Sequence, residues 1–328
     1  MRRRLRLLLI VMFSLAACIF LANSNLFVPR EREASPTLLA HRGIAQRFEI
    51  AGVERDDCSA TAIAQPSHDY LENTIRSMSA AFEAGADVVE FDVHPTTDGQ
   101  FAVIHDWTLD CRTDGHGVTR EHSMAELKTL DIGYGYTADG GKTFPFRGKG
   151  RGLMPTMDEV LATFPDRRFL INVKSNDPNE GTKLAAAVGR LPPERRALLV
   201  PYGGDRPIEE IRRLLPDMKI VSRGSLKACL LRYAGYGWTG LVPNACRNLV
   251  LLVPTNVAPW LWGWPDRFLA RMRSVGTEVF VVAPWSGGAT AGIDTPEELK
   301  TLPKGYSGGI WTNAIEVIGP IIKRESGA

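Results

Sequence analysis

The sequence lacks the features that mark several large classes of protein. Its 39 lysines and arginines nearly balance its 37 aspartates and glutamates, and no block of basic residues occurs beyond the N-terminus, so it offers no charged footprint for nucleic acid. No Cys-x-x-Cys or Cys/His spacing indicates a zinc site. No Gly-x-Gly-x-x-Gly follows a first strand, which argues against a doubly wound dinucleotide-binding domain. We therefore expect a small-molecule or lipid partner and no nucleic-acid partner.

The N-terminus combines a basic start with a long apolar segment. Four arginines lie within the first six residues, and an apolar run follows over 7–22, a pattern typical of an export signal or an uncleaved membrane anchor. The stretch LAAC also resembles a bacterial lipobox, in which Cys18 is lipidated after cleavage. We therefore predict a signal or anchor at 1–25 and a linker at 26–37. Anchor, lipoprotein and simple cleavage all stay open, and each places the remaining chain outside the cytoplasm, in the periplasm or at the cell surface.

Cysteines beyond that segment are few and even in number. They are Cys58, Cys111, Cys229 and Cys246. An oxidising compartment allows them to pair, and we predict pairing between near neighbours, Cys58 with Cys111 and Cys229 with Cys246. The alternative is four buried free thiols.

Beyond the N-terminal segment, short apolar segments alternate with helical patterns over most of the 328-residue chain. Such alternation is typical of a parallel sheet, and its near-eightfold repetition predicts an α/β fold of the (β/α)8 TIM-barrel type at 38–320. Helical patterns include ENTIRSMSAAFEAGA, MPTMDEVLATF, PIEEIRRLLP and PDRFLARMRSVG. The nine strand candidates are LLAHRG (38–43), VVEFDV (88–93), FAVIHD (101–106), FLINVK (169–174), ALLVPY (197–202), MKIVS (218–222), GLVPN (240–244), VFVVAP (279–284) and GGIWTN (308–313).

The segment VVEFDVHPTTDGQFAVIHD, at 88–106, is dense in ionisable groups. In an extended strand Glu90, Asp92 and His94 share one face, and the apolar residues on both sides indicate that this face is not solvated. Two buried carboxylates side by side repel each other and lose hydration. Because oxygen ligands suit hard cations, we expect Glu90 and Asp92 to hold Mg²⁺ or Ca²⁺ at the barrel mouth. His94 lies one strand step further on and is expected outside this cluster.

Further polar residues lie at the predicted strand ends, where barrel enzymes carry their catalytic groups. His41 and His105 titrate near neutrality, so the two can divide the roles of base and acid. Arg42 and Lys174 supply positive charge for a phosphate group. Glu72 either contacts the site as a substrate-binding residue or caps the helix that follows it.

Ordered motifs extend this pattern over about residues 38–313. They are AHRG (40–43), ENT (72–74), GAD (85–87), EFDV (90–93), TDG (97–99), HD (105–106), MPT (154–156) and GIWTN (309–313). In order and spacing they resemble the motifs of the glycerophosphodiester phosphodiesterase family. The resemblance implies a TIM barrel with a small insertion after the third strand, at 107–150, and metal-dependent cleavage of phosphodiesters. It also matches His41 and His105 to the family's catalytic histidines.

The chain departs from the family pattern at the fourth strand. The family usually has Glu-x-Lys there, with the glutamate as a metal ligand, whereas this chain has Asn172-Val173-Lys174. The resemblance therefore implies Asn172 as the third ligand beside Glu90 and Asp92. An amide carbonyl still binds a hard cation but brings no formal charge, so we expect weaker attraction for Mg²⁺.

Three functions remain open. The resemblance implies hydrolysis of glycerophosphodiesters to glycerol 3-phosphate and an alcohol, with the substrate's own neighbouring hydroxyl attacking first. The second is a membrane-tethered lipid phosphodiesterase, resembling lysophospholipase D or sphingomyelinase D, that acts on lysolipid. The third is a barrel that binds phosphodiesters without turnover. The stretch PWLWGWPDRF (259–268) bears on the second, because its three tryptophans either pack between barrel helices or contact a membrane interface.

Overall fold

Buried apolar segments form the strands of the protein, and amphipathic segments between them form helices. The computed structural model describes residues 2–28, 35–48, 58–287 and 291–325. Its strands are β1 Thr37–His41, β2 Val88–Pro95, β3 Phe101–Val103, β4 Arg168–Val173, β5 Leu199–Gly203, β6 Val221–Ser222, β7 Val250–Pro254, β8 Glu278–Val282 and β9 Gly309–Thr312. Its α-helices are α1 Arg2–Asn23, α2 Ile75–Ala84, α3 Met124–Leu127, α4 Met157–Thr163, α5 Pro178–Gly189, α6 Pro193–Arg196, α7 Asp205–Leu214, α8 Arg223–Tyr236, α9 Asp266–Arg273, α10 Pro296–Leu299 and α11 Ile315–Glu325. Short 3₁₀ helices lie at Asn25–Phe27, Ser59–Ala62, Thr119–Glu121, Gly237–Thr239, Asn244–Cys246 and Ala258–Trp260.

Eight of these strands form a nearly closed parallel barrel. Their order is β6-β5-β4-β2-β1-β9-β8-β7, and a parallel bridge between Ile220 and Leu249 joins the two ends of the sheet. All eight carboxyl ends therefore meet at one end of the barrel, here called the mouth. The TIM-barrel prediction and the apolar N-terminal helix are confirmed.

Side chains on the two faces of the strands build two layers of core. The barrel interior is filled mainly by branched aliphatic residues with Phe280 and Trp311. The opposite face packs against the helices in a larger cluster that includes Phe91, Phe169 and Phe268. Strands buried on both faces explain why their sequences are apolar runs, without the alternation of a half-exposed strand.

The third strand in chain order does not belong to the barrel wall. β3 pairs antiparallel with β2, with Val93 opposite Val103 and Pro95 opposite Phe101. The chain beyond it builds a lobe with its own apolar cluster, including Leu109, Leu127, Tyr136 and Phe146. The FAVIHD segment is thus an arm of a hairpin that leads into this lobe, and the predicted insertion at 107–150 follows that hairpin.

One strand prediction was wrong. The segment GLVPN at 240–244 is not a strand, because Gly240 has a left-handed backbone with φ of 85° and Pro243 has no N–H for a ladder hydrogen bond. A 3₁₀ helix begins at Asn244, and the barrel strand is β7, six residues further on. The sequence reasoning missed β7 because two apolar runs lie close together here.

The apolar N-terminal segment forms one continuous helix. By length and composition α1 is sufficient to cross a membrane, and none of its apolar window is buried against the rest of the protein. A signal sequence passes the same test, so the span from Arg3 to Asn23 identifies a candidate only. The predicted linker at 26–37 includes residues 29–34, which lie outside the described residues.

Both predicted disulfides are present. Cys58 is bonded to Cys111, and Cys229 is bonded to Cys246. The first joins the segment after β1 to the lobe, and the second joins α8 to the 3₁₀ helix before β7. Cys18 is a free, exposed cysteine on α1.

Candidate active site

Strand register brings the sequence-predicted residues to the mouth. His41 at the end of β1 lies beside Glu90 of β2. Asp92 of β2 lies beside Asn172 of β4, which in turn lies beside Tyr202 of β5. In a parallel barrel such neighbours occupy one layer of the mouth, so the period-two pattern of β2 places both acids in one cluster.

The two acids of this cluster are fully buried and differ in surroundings. Asp92 accepts hydrogen bonds from Nδ2 of Asn172 (2.8 Å) and Nδ2 of Asn73 (3.0 Å). It also lies 3.5 Å from Nζ of Lys174 and 3.3 Å from Nε of Arg42. Burial alone raises the pKa of a carboxyl group, but Lys174 and Arg42 outweigh it and hold the pKa of Asp92 well below its usual range.

Glu90 has the opposite electrostatic balance. It accepts the backbone N–H of Arg42 at 3.1 Å and the hydroxyl of Tyr202. Burial and the neighbouring charge of Asp92 raise the pKa of Glu90 to about 8. Asp92 is therefore firmly ionised, whereas the ionised form of Glu90 needs a further positive partner to be stable in this cluster.

The donor set of the cluster fits a hard divalent cation. Nδ2 of Asn172 donates to Asp92, which leaves Oδ1 of Asn172 available as an acceptor. This buried oxygen has no hydrogen-bond partner among the described residues. An unpaired buried acceptor is costly unless something binds it. Within the described parts of the chain no group of three or more His, Cys, Asp or Glu side chains forms a metal cluster. The third oxygen donor beside Glu90 and Asp92 is an amide.

The ring of His41 is held by a chain of hydrogen bonds from β9 and the loop before α10. Its Nδ1 lies 2.6 Å from Oδ1 of Asn313, and Nδ2 of Asn313 donates to Oδ2 of Asp294 at 2.7 Å. Nδ1 therefore carries the proton, and Nε2 accepts from Nε of Arg42 at 3.1 Å. Nε2 also lies 3.7 Å from Oε2 of Glu90. Burial, and then the charge of Arg42, lowers the pKa of His41 to about 3, so the ring is neutral.

His105 has a separate support on the lobe side of the mouth. Its Nδ1 lies 2.9 Å from Oδ1 of Asp106, which also accepts Nη2 of Arg112 at 3.2 Å. Nε of Arg112 donates to the other oxygen of Asp106 at 3.1 Å. Burial, with the charges of Arg42 and Lys174, lowers the pKa of His105. Each histidine thus has Nδ1 fixed by a positioned oxygen.

Glu72 lies between two arginines, Arg42 beside the acid cluster and Arg112 in the lobe. Its Oε1 lies 2.9 Å from Nη1 of Arg42, and its Oε2 lies 3.1 Å from Nη1 of Arg112. The N-cap of α2 is Thr74, whose hydroxyl accepts the N–H of Ser77. Glu72 is therefore not the capping residue, and both of its oxygens face arginines.

Two residues of this region have left-handed backbones although neither is glycine. φ is 61° at Arg42 and 59° at Asn73. Such a conformation costs about 1–3 kcal/mol and persists only where neighbours fix it. Here the N–H of Asn73 donates to the carbonyl of Arg42, and its side-chain oxygen accepts the N–H of Asp92. The strain aims Arg42 and Asn73 at the same carboxylate.

The structure adds residues that sequence reasoning missed as site residues. Asp294 and Asn313 orient His41, Arg112 orients Asp106, and Tyr202 bonds Glu90. His94 is buried, and its Nε2 lies 3.3 Å from the carbonyl of His105, so it supports the backbone behind the site. The only signal for these roles was the motif membership of Asp106 and Asn313.

Comparison with known proteins points to one family. The model of the glycerophosphoryl diester phosphodiesterase family matches residues 41–190. A glycerophosphodiester phosphodiesterase of Caldanaerobacter subterraneus is 26% identical over 263 residues, which are 79% of this chain and 95% of that protein. A glycerophosphodiester phosphodiesterase of Bacillus subtilis is 36% identical over 123 residues, covering 36% of this chain and 41% of the relative.

Solved structures agree on the fold. The glycerophosphoryl diester phosphodiesterase domain of an uncharacterized Mycobacterium tuberculosis protein has a TM-score of 0.62 at 15% identity, covering 88% of this chain and 99% of that one. An Oleispira antarctica phosphodiesterase, solved in complex with the product sn-glycerol-3-phosphate, has a TM-score of 0.55 at 17% identity, covering 90% and 98%. With similar motifs at the mouth of a matching barrel, the chain resembles the glycerophosphoryl diester phosphodiesterase family in sequence over residues 41–190 and in fold over most of its length.

Proposed function

We propose that the chain hydrolyses glycerophosphodiesters to glycerol 3-phosphate and an alcohol, with His41 and His105 as general acid and base. The match to the family model and the similarity to a named glycerophosphodiester phosphodiesterase support a phosphoric diester hydrolase. The observation that carries the finer proposal is the shared arrangement of the two histidines. Each has Nδ1 fixed by an oxygen, at 2.6 Å from Asn313 or 2.9 Å from Asp106, so Nε2 is the nitrogen that exchanges a proton, and in His41 it does so in place of the hydrogen bond that it accepts from Arg42.

The residues that hold the cation in this proposal are Glu90, Asp92 and Asn172. The unpartnered Oδ1 of Asn172 and the raised pKa of Glu90 support it. A bound Mg²⁺ or Ca²⁺ would supply charge neutralisation at the phosphoryl oxygens. Lys174 and Arg42 already bond Asp92, so they lie close enough to meet the same phosphoryl group from the protein side.

Proton transfer falls to the histidines. One neutral imidazole accepts a proton from the attacking group, which is either the hydroxyl on the substrate's neighbouring carbon or a water molecule. The other, protonated, donates to the alkoxide that leaves the phosphorus. Each such step exchanges the protonation states of the two rings. When the substrate's own hydroxyl attacks, a second step in which water opens the cyclic phosphate returns both rings to their starting protonation states.

Glu72 was predicted to bind substrate, and its contacts favour a different role. Both of its oxygens are within 3.1 Å of arginine nitrogens. We propose that Glu72 positions Arg42 and links it to the lobe through Arg112. In this role its loss impairs the orientation of the phosphate-binding charge without removing a contact to the substrate.

The substrate class is supported by the relatives. The Oleispira antarctica phosphodiesterase was solved with sn-glycerol-3-phosphate as product, and the Caldanaerobacter relative, which spans most of this chain, is named a glycerophosphodiester phosphodiesterase. The lysolipid alternative is favoured by the exposed apolar helix α1 and by the exposed tryptophans Trp260 and Trp262. A barrel that binds without turnover is not favoured by any contact described above.

A product assay separates these functions. Full-chain protein, stripped with a chelator and then supplied with Mg²⁺ or Ca²⁺, is incubated with glycerophosphocholine or with lysophosphatidylcholine. We expect glycerol 3-phosphate from glycerophosphocholine only when cation is present. Faster turnover of the lysolipid would support the lipid phosphodiesterase instead. Binding of glycerophosphocholine without any product would support the non-catalytic barrel.

A further inference from the structure

The end of α1 is fixed to the barrel by hydrogen bonds. Nδ2 of Asn23 donates to the carbonyl of Trp238 at 2.9 Å, and Nη1 of Arg271 donates to Oδ1 of Asn23 at 2.9 Å. Two residues further on, Nδ2 of Asn25 donates to the carbonyl of Trp264 at 2.7 Å. The N–H of Arg267 donates to Oδ1 of Asn25 at 2.9 Å. The C-terminal end of α1 and the residues after it are therefore hydrogen-bonded directly to α9 and to the loop before it.

Exposed aromatic and leucine side chains surround this junction. We call them the aromatic rim: Tyr236, Trp238, Leu241, Trp260 and Trp262. Trp260 is 82% exposed, an unusual fraction for a residue type that is highly buried on average. The rim is held together where Nε1 of Trp262 donates to the carbonyl of Ala234, beside the end of α8.

The third tryptophan of the PWLWGWPDRF stretch behaves differently. The ring of Trp264 packs against Phe268 at 5.9 Å and Tyr306 at 5.7 Å between centroids, so it is partly buried against the core. The packing interpretation of that stretch therefore holds for Trp264 alone. Trp264 packs between barrel elements, while Trp260 and Trp262 remain at the surface.

The length of α1 determines at which depth of a bilayer the aromatic rim would lie. At 1.5 Å per residue the 22 residues of α1 span about 33 Å, and its apolar run at 7–22 spans about 24 Å, which covers most of the roughly 30 Å of a bilayer's hydrocarbon core. Arg3, Arg4 and Arg6 lie at its first end, as expected for the cytoplasmic side. If α1 spans the membrane, Asn23 lies at the opposite interface. The hydrogen bonds of Asn23 and Asn25 then hold the rim at headgroup level.

We propose that the aromatic rim is a membrane-binding surface, inserted into the outer interface of the bilayer that α1 spans. Tryptophan and tyrosine are favoured at that depth because their rings are apolar and their N–H and O–H groups meet water. The barrel is then held in one orientation by two adjoining contacts, the spanning helix and the rim. The proposal requires that α1 is retained in the mature protein, and it holds for any substrate of the barrel.

The test uses full-chain protein in vesicles of phosphatidylcholine and phosphatidylglycerol that carry lipids brominated close to the headgroup or deep in the chains. Bromine quenches tryptophan fluorescence at short range. We expect stronger quenching by the shallow bromines, and a fall of at least about threefold in that quenching when Trp238, Trp260 and Trp262 are all replaced by phenylalanine. Trp107→Phe is the matched control, since Trp107 is 40% exposed and Trp238 41%, yet Trp107 lies in the lobe.

Three results would overturn the proposal. The first is equal loss of quenching in Trp107→Phe and the triple variant. The second is protection of rim tryptophans from an aqueous quencher without any quenching by bromolipid, which indicates a protein partner or a second copy. The third is an intact mass that shows the mature protein to begin at or beyond Cys18, because most or all of α1 is then removed. None of these readouts uses phosphodiester hydrolysis, so failure here leaves the proposed function standing.

Discussion

Asn313 accepts a hydrogen bond from Nδ1 of His41 at 2.6 Å, and Asp294 fixes the orientation of Asn313 through both its backbone and side-chain nitrogens. The carboxylate of Asp294 therefore determines that the oxygen of Asn313 faces the imidazole. Through that oxygen it determines which ring nitrogen of His41 is protonated.

Asp294→Asn is expected to reverse this orientation. An amide in place of the carboxylate allows Asn313 to flip and present its NH₂ to Nδ1, which moves the ring proton to Nε2. We predict a loss of kcat of about 10- to 100-fold, the range typical of groups that orient a functional side chain. Imidazole ¹⁵N shifts are predicted to report the tautomer change. Glu298→Gln, which alters the adjacent cap of α10, is the control, and an unchanged tautomer in Asp294→Asn would refute this role.

Substitutions of Asn172 test the cation site without an activity assay. Asn172→Asp adds a charge beside Asp92, so we predict roughly tenfold tighter binding of Mg²⁺ or Ca²⁺ by calorimetric titration. Asn172→Ala removes the unpartnered oxygen and is predicted to weaken binding by a similar factor. Asn176→Ala, in the loop after β4, is the control for loss of an amide. Equal cation affinity in wild type and Asn172→Ala would exclude Asn172 as a ligand.

Asp106 is expected to stabilise the fold at neutral pH. Burial raises its pKa, but Arg112 outweighs burial and the pKa lies below its usual range. The stabilisation is therefore complete above the unfolded-state pKa of about 3.9 and is lost as pH falls toward the folded-state pKa. Asp106→Asn is predicted to lower stability at pH 6 and to flatten its decline below about pH 4.

Urea unfolding at a series of pH values measures this effect. Asp69→Asn is the control, because Asp69 bonds Arg76 at the exposed surface, where ion pairs contribute little. An acid limb in Asp106→Asn as steep as in wild type would mean that other groups control the acid sensitivity.

The disulfides lead to a thiol count and a stability order. Protein from an oxidising compartment is predicted to contain Cys18 as its only reactive thiol under denaturing, non-reducing conditions. Closing the 53-residue separation of Cys58–Cys111 corresponds to about 4 kcal/mol of loop entropy. The 17-residue separation of Cys229–Cys246 corresponds to about 3 kcal/mol. Serine pairs at each site, compared by urea unfolding, test this order, and four additional labelled thiols would contradict the pairing.

The sequence was most informative where a local pattern determines the answer. Alternation along β2 placed Glu90 and Asp92 on one face, and the order of apolar segments predicted the barrel. Asn73, Arg112 and Asp294 were missed because their roles depend on contacts between distant parts of the chain. The register that brings Asp294 to Asn313, or Arg112 to Glu72, is determined by packing of the whole barrel. The strand error at 240–244 arose from two apolar runs that only tertiary packing distinguishes.

The most direct test of the account measures glycerol 3-phosphate release from glycerophosphocholine by wild type, His41→Ala and His105→Ala with saturating cation. Loss of a positioned acid or base typically lowers the rate by about 10²–10⁴-fold. We predict a loss in that range for each variant, with cation affinity and unfolding free energy unchanged. Near-wild-type turnover in either variant would contradict the assignment of the two histidines as the acid and base of this barrel.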